Sequence, residues 1–141
     1  MFESGTRLRA RVVDGDGGAQ AFLGWYDATL DVKCVFTAAS DGSTRCMPAS
    51  SQPAFFFDAA CTERAATFTG DTTPPAYVSV ADEAKRCDRR FTLHAFHVGD
   101  ARATARIYAG GGGKCGPSPL LAGEQAFALS PEVSPSTFAE A

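Results

Sequence analysis

The chain has 141 residues, 13 Lys+Arg against 16 Asp+Glu for a net charge of −3, and a hydrophobic share of 45%. That suits one globular domain, residues 1–141, and argues against a disordered chain. No apolar run approaches the roughly 18 to 20 residues that span a bilayer, and the mildly acidic balance removes the electrostatic case for a nucleic-acid partner.

Along the chain the signals are those of strands. Arg7-Leu8-Arg9-Ala10-Arg11-Val12 alternates strictly, which places Leu8, Ala10 and Val12 on one strand face and three arginines on the other. Asp14-Gly15-Asp16-Gly17-Gly18 reads as a turn, since Gly adopts positive φ without steric cost. Phe22–Tyr26 follows as a strand. Lys33–Thr37 and Thr44–Met47 flank a predicted turn at Ser40-Asp41-Gly42. Phe55-Phe56-Phe57, Tyr77–Val80, Phe91–Val98, Ile107-Tyr108 and Phe127-Ala128-Leu129 complete the set. Ala81–Arg86 holds one helical turn at most. Proline at 48, 53, 74, 75, 117, 119, 131 and 135 is expected at the connections. The fold class is all-β and antiparallel.

Four of the five cysteines, Cys34, Cys61, Cys87 and Cys115, stand 27, 26 and 28 residues apart, each after a strand-like segment. The spacing predicts hairpin repeats of about 27 residues in one compact domain: a barrel, a sandwich or a propeller-like array. No Cys-x-x-Cys zinc signature occurs, so disulfides in an oxidising compartment are the expectation. The turn midway between Cys34 and Cys46 sets those two directly opposite each other and predicts their bond. For the others, spacing leaves Cys61–Cys87 and Cys87–Cys115 both open. Met1-Phe2-Glu3-Ser4 lacks the pattern of a leader. The expectation is a mature secreted or cell-surface body whose signal segment is not in this chain; a cytosolic thiol protein with a reactive Cys61 is the alternative.

Gly5–Arg11, Phe22-Leu23-Gly24-Trp25-Tyr26-Asp27, Cys34 with Asp41-Gly42 and Arg45-Cys46-Met47-Pro48, Phe57–Thr62, and Ser134–Phe138 together resemble a family of uncharacterised secreted proteins or lipoproteins from gliding, predatory soil bacteria. The resemblance implies export and a cysteine-braced β fold, and carries no known activity. It also implies a cysteine after Gly70, where this chain has Asp71. On that basis Cys61 is expected as a free, buried thiol and Cys87–Cys115 as the second disulfide.

The residues that could carry chemistry mostly have plainer roles. His94 and His97 lie three apart on a strand and point to opposite faces, so no shared metal is expected. Gly110–Gly113 with Lys114-Cys115 lacks the spacing, the hydroxyl and the helix of a phosphate loop, and reads as a flexible hairpin loop. Asp14 opens no EF-hand, because the twelfth position is Trp25. Asp27, Asp58 and Asp82 are expected to bond nearby backbone amides in turns. Lys85, Arg86, Arg89 and Arg90 read as a solvated basic face. Phe55–Phe57 reads as core, and no cofactor is expected. Arg7, Arg9, Arg11, Trp25 and Tyr26 remain as a possible ligand surface. The sequence thus favours a non-catalytic extracytoplasmic structural or binding module, its partner a surface protein or polysaccharide. A secreted hydrolase, whose site the fold would assemble, is second.

Overall fold

A computed structural model describes residues 5–82 and 91–141. Lys85, Arg86, Cys87, Arg89 and Arg90 lie outside the described residues. Every named strand pairing is antiparallel and no α-helix occurs among the described residues, so the all-β reading holds.

The first sheet is a meander of β1 (Leu8–Asp14), β2 (Gln20–Asp27), β3 (Val32–Ala38) and β4 (Thr44–Pro48). The Asp14–Gly18 turn forms as a short 3-10 segment, with Gly17 at φ 72° and Gly18 at φ 81°. Ahead of this turn the alternation of β1 stops having a buried side. A bulge between Arg11 and Val12, opposite Leu23 and Gly24, breaks the register, and residues 12–23 are all exposed. Val12, expected inside, therefore faces solvent at 38% exposure.

The predicted turn links β3 and β4. Gly42 takes φ 83°, and the Asp41 carboxylate accepts the Ser43 amide at 2.9 Å. Cys34 and Cys46 are bonded, with Cα atoms 5.1 Å apart. They are not directly opposed, however. The register pairs Cys34 with Pro48 and Phe36 with Cys46, so the bond runs diagonally on one face. The reason is that the pairing is centred on Asp41, one residue past the midpoint of the two cysteines.

The second sheet holds β5 (Phe55–Phe56), β6 (Arg64–Thr69), β7 (Tyr77–Ala81), β8 (Leu93–Arg102), β9 (Arg106–Gly111), β10 (Lys114–Pro119) and β11 (Glu124–Val133). Its order is β10-β9-β5-β6-β11-β8-β7. One of the two sheets curls into a half-barrel. Neighbours here are set by long crossovers: β9 lies beside β5, and β11 lies between β6 and β8. Phe127–Leu129, a short apolar run in the sequence, thus belongs to a ten-residue interior strand.

This order corrects the second disulfide. Phe55 and Phe56 of β5 pair with Ala109 and Tyr108 of β9, which carries the loop after β5 to the β9–β10 turn. Cys61 is bonded to Cys115, with Cα atoms 6.0 Å apart. It is neither free nor one spacing from its partner, and Cys115 is not bonded to Cys87. The Gly-rich segment is also tighter than a flexible loop. Lys114 pairs with Gly111, leaving a two-residue turn at Gly112 and Gly113 with φ 59° and 74°. Several prolines stand inside strands rather than between them. Pro117 and Pro119 lie on the edge strand β10, where a missing N–H is tolerated. Pro131 lies in β11 at a bulge.

Alternation along β7 and β8 sends side chains to two cores. Ala95 on one face joins Ala39, Met47 and Phe138, which fasten the two sheets together. Val78, Val80 and Phe96 on the other face pack with Ala54, Phe68, Val98 and Leu129. The C-terminal segment closes the free edge of β4: Cys46 N–H donates to Ala139 O at 2.8 Å, and Ala141 N–H donates to Thr44 O at 3.0 Å.

Candidate functional site

The residues singled out as a ligand surface do not share one surface. Arg7 is committed to structure: its Nη2 lies 2.8 Å from Asp27 Oδ2 and donates to Thr137 O at 2.7 Å. Trp25 is half-buried between Phe22 and Phe36, with ring centroids at 5.4 and 6.1 Å. It pairs with Ala10 and Cys34. Arg9, Arg11 and Tyr26 lie on the opposite face by the same register, since Arg9 pairs with Tyr26. The Tyr26 hydroxyl bonds the Asp31 carboxylate, and that bond pushes the phenol above its ordinary value.

The aspartates serve turns and ion pairs. Asp27, fully buried, accepts the amides of Thr29 and Leu30 at 3.0 and 3.2 Å. Asp58 accepts the Thr62 and Glu63 amides, both at 2.9 Å, and the Thr62 hydroxyl. That hydroxyl, followed by the Glu63 amide, holds the Asp58 carboxyl down at about 2. Asp82 contacts His94 instead.

His94 and His97 occupy different surroundings, as alternation requires. The His97 ring meets Tyr77 edge-on at 5.2 Å, and Tyr77 in turn meets Phe138. His94 lies between two carboxylates, Nδ1 against Glu132 and Nε2 against Asp82. Among the described residues no group of three or more His, Cys, Asp or Glu is arranged to hold a metal ion.

His94 opens onto a cleft of about 590 Å³ that the sequence reading did not anticipate. Its floor comes from β6, β8 and β11, and one wall from the loop that Asp58 ties down before β6. Arg64, the first residue of β6, lays its guanidinium over two rings, 4.8 Å from the Phe96 centroid and 5.3 Å from that of Phe56. Both rings are nearly fully buried, so they form a firm apolar backing for the cation. Arg64 has no carboxylate partner among the described residues. The other ionisable residues at the cleft have partners. Arg102 Nη1 donates to Glu63 Oε2 at 3.0 Å and stacks on Phe57 at 4.2 Å, while Glu132 faces His94.

A bulge aims Glu132. Between Leu129 and Glu132 β11 advances three residues while β8 advances two, from Val98 to Phe96. Ser130 and Pro131 occupy the extra step, where Pro needs no ladder partner. Ser130 Oγ accepts the His97 amide at 2.9 Å and donates to Pro131 O at 2.7 Å, which repairs the interrupted ladder. Proline two residues past the apolar run Phe127–Leu129 was the sequence signal for this bulge. Arg64 left no such signal, because its two rings come from residues 8 positions before and 32 after it.

Fold and site together define an all-β, disulfide-braced protein with a cation-bearing cleft on its larger sheet. The chain belongs to DUF7481, a family of unknown function whose profile matches residues 2–139. No curated protein and no solved structure gives a significant match. Among the described residues no helix is long and apolar enough to cross a membrane.

Proposed function

We propose that this protein is a single-domain, extracytoplasmic binding module that holds an anionic group of a cell-surface partner in the Arg64 cleft. One observation carries the reading. Arg64 is a cation without a carboxylate partner among the described residues, braced on two buried rings and lining an open cleft. A guanidinium in that setting has donors fixed in direction and unspent on the described residues, which suits recognition of an anion. Two disulfides are compatible with an extracellular setting, and the resemblance to secreted proteins of predatory soil bacteria fits the same place.

The hydrolase reading finds less support in the same cleft. Both nitrogens of His94 are engaged by carboxylates, so neither is open to take a proton from a nucleophile. Ser130 Oγ is engaged twice by backbone groups.

The test is a panel of neutral, carboxylated and sulfated oligosaccharides and short peptides, scored by calorimetry against the wild type and a cleft-filling Ala128→Trp variant. Binding of at least one anionic member that the variant loses, with its circular dichroism unchanged, supports the proposal. Binding that survives Ala128→Trp places the ligand elsewhere and overturns it.

A further inference from the structure

Resting on that reading, we infer that the cleft selects a uronic-acid unit of an acidic polysaccharide, its carboxylate on Arg64 and its hydroxyls on Glu63 and Glu132. The argument begins with charge. At the cleft Glu63 pairs with Arg102 and His94 lies between Glu132 and Asp82, so among the described residues Arg64 is the cation with no carboxylate against it. A ligand with one carboxylate per unit fits that balance, whereas a densely charged polyanion meets the two glutamates as repulsion.

Hydrogen-bonding capacity narrows the class further. Glu63 uses Oε2 for Arg102 and Glu132 uses Oε1 for His94; Glu63 Oε1 and Glu132 Oε2 accept no bond among the described residues. Beside the donors of Arg64 and the remaining N–H groups of Arg102, these two carboxylate oxygens are left open as acceptors, and they call for a ligand that brings donors as well as an anion. A sugar ring brings several hydroxyls to one small site. A peptide ending in a carboxylate brings one amide N–H per residue, and is the less suitable occupant. Half-buried Phe57, with Arg102 over its ring, and half-buried Leu129 add some apolar lining to the cleft. A cleft of this volume falls in the range that takes small ligands, enough for one or two sugar units.

The experiment is calorimetry with trigalacturonate, the same trimer with its carboxyls reduced to alcohols, a tripeptide with a free carboxylate, and sodium sulfate. Trigalacturonate is expected to bind at least tenfold more tightly than the reduced trimer and the peptide. Arg64→Gln and Arg64→Lys are both expected to weaken it at least tenfold, because a lysine keeps the charge but loses the planar fork and the stacking. Arg106→Gln on β9 should leave it unchanged. In the unsubstituted protein, ¹⁵N shift changes on adding the trimer should centre on β6, β8 and β11, a readout independent of how any variant folds. Equal binding of the reduced trimer, tighter binding of the peptide, or displacement by sulfate at matched concentration overturns the assignment. So does failure of trigalacturonate to bind. If another anionic ligand then binds and is lost in Ala128→Trp, only the sugar class falls. Trigalacturonate binding that survives Ala128→Trp overturns the cleft itself.

Discussion

The Asp27 carboxylate has none of its side chain exposed and faces the Arg7 guanidinium at 2.8 Å, while Arg7 is 35% exposed. The pair joins three parts of the chain. Asp27 holds the turn after β2 through the Thr29 and Leu30 amides, and Arg7 holds Thr137, the residue before the buried Phe138. Removing one partner of a buried pair leaves the other uncompensated, which costs more than the pair itself contributes. Asp27→Ala is expected to cost about 3 kcal/mol. Arg7→Ala should cost less, about 2 kcal/mol, because two amides still serve the carboxylate. Urea unfolding of the two variants checks the order. Near-neutral Asp27→Ala would show the pair to be dispensable.

Gly110 tests how tightly the second sheet is packed behind the cleft. A Cβ there would stand 2.9 Å from Phe56 Cε2 and 3.7 Å from Cys61 Sγ. Phe56 has little room to yield, with Arg64 over one side and only 8% of its surface exposed. Gly110→Ala is therefore expected to destabilise by about 1–3 kcal/mol, as overpacking does. Gly116→Ala, with nothing within 4 Å, should stay within about 0.5 kcal/mol of the wild type. Equal effects of the two substitutions would refute the steric account.

What could be read in the chain beforehand was local. Alternation in Arg7–Arg11, the Asp41-Gly42 turn and the Cys34–Cys46 link each depend on residues close in sequence. They are set by strand period and turn chemistry. The cleft depends on crossovers instead. Arg64 meets Phe96 because β11 inserts between β6 and β8, and Cys61 meets Cys115 because β9 returns beside β5. No period or spacing encodes which strand inserts where. The even cysteine spacing pointed to neighbours one unit apart, yet the bonded pair is 54 residues apart. Likewise, an arginine read alone on a strand gives no sign that two distant rings will back it.

The two disulfides should differ in what they contribute. In the chain-entropy model a closed loop with sequence separation 12 stabilises by about 3 kcal/mol, and one with separation 54 by about 4 kcal/mol. The Cys61→Ala, Cys115→Ala double variant is thus expected to lose more than Cys34→Ala, Cys46→Ala by roughly 1 kcal/mol. Peptide mapping without reductant should recover Cys34 linked to Cys46 and Cys61 linked to Cys115. Alkylation of Cys61 or Cys115 in the unreduced, unfolded chain would contradict the second bond.

Acid should release the loop that forms one wall of the cleft. Asp58 is held at about 2, first by the Thr62 hydroxyl and then by the Glu63 amide, against an ordinary value of 3.8. A carboxyl depressed on folding contributes stability in full above its unfolded value, and that contribution fades as pH falls through the folded one. The advantage of the wild type over Asp58→Ala should therefore be constant from neutral pH down to about 5 and shrink from there toward pH 2. Urea midpoints of both proteins across that range measure the difference directly, and a carboxyl ¹³C titration of Asp58 should give a midpoint of about 2. A stability difference that stays flat to pH 2 would mean that the bonds from Thr62 and Glu63 do not favour the charged form. The loop before Arg64 would then need another anchor.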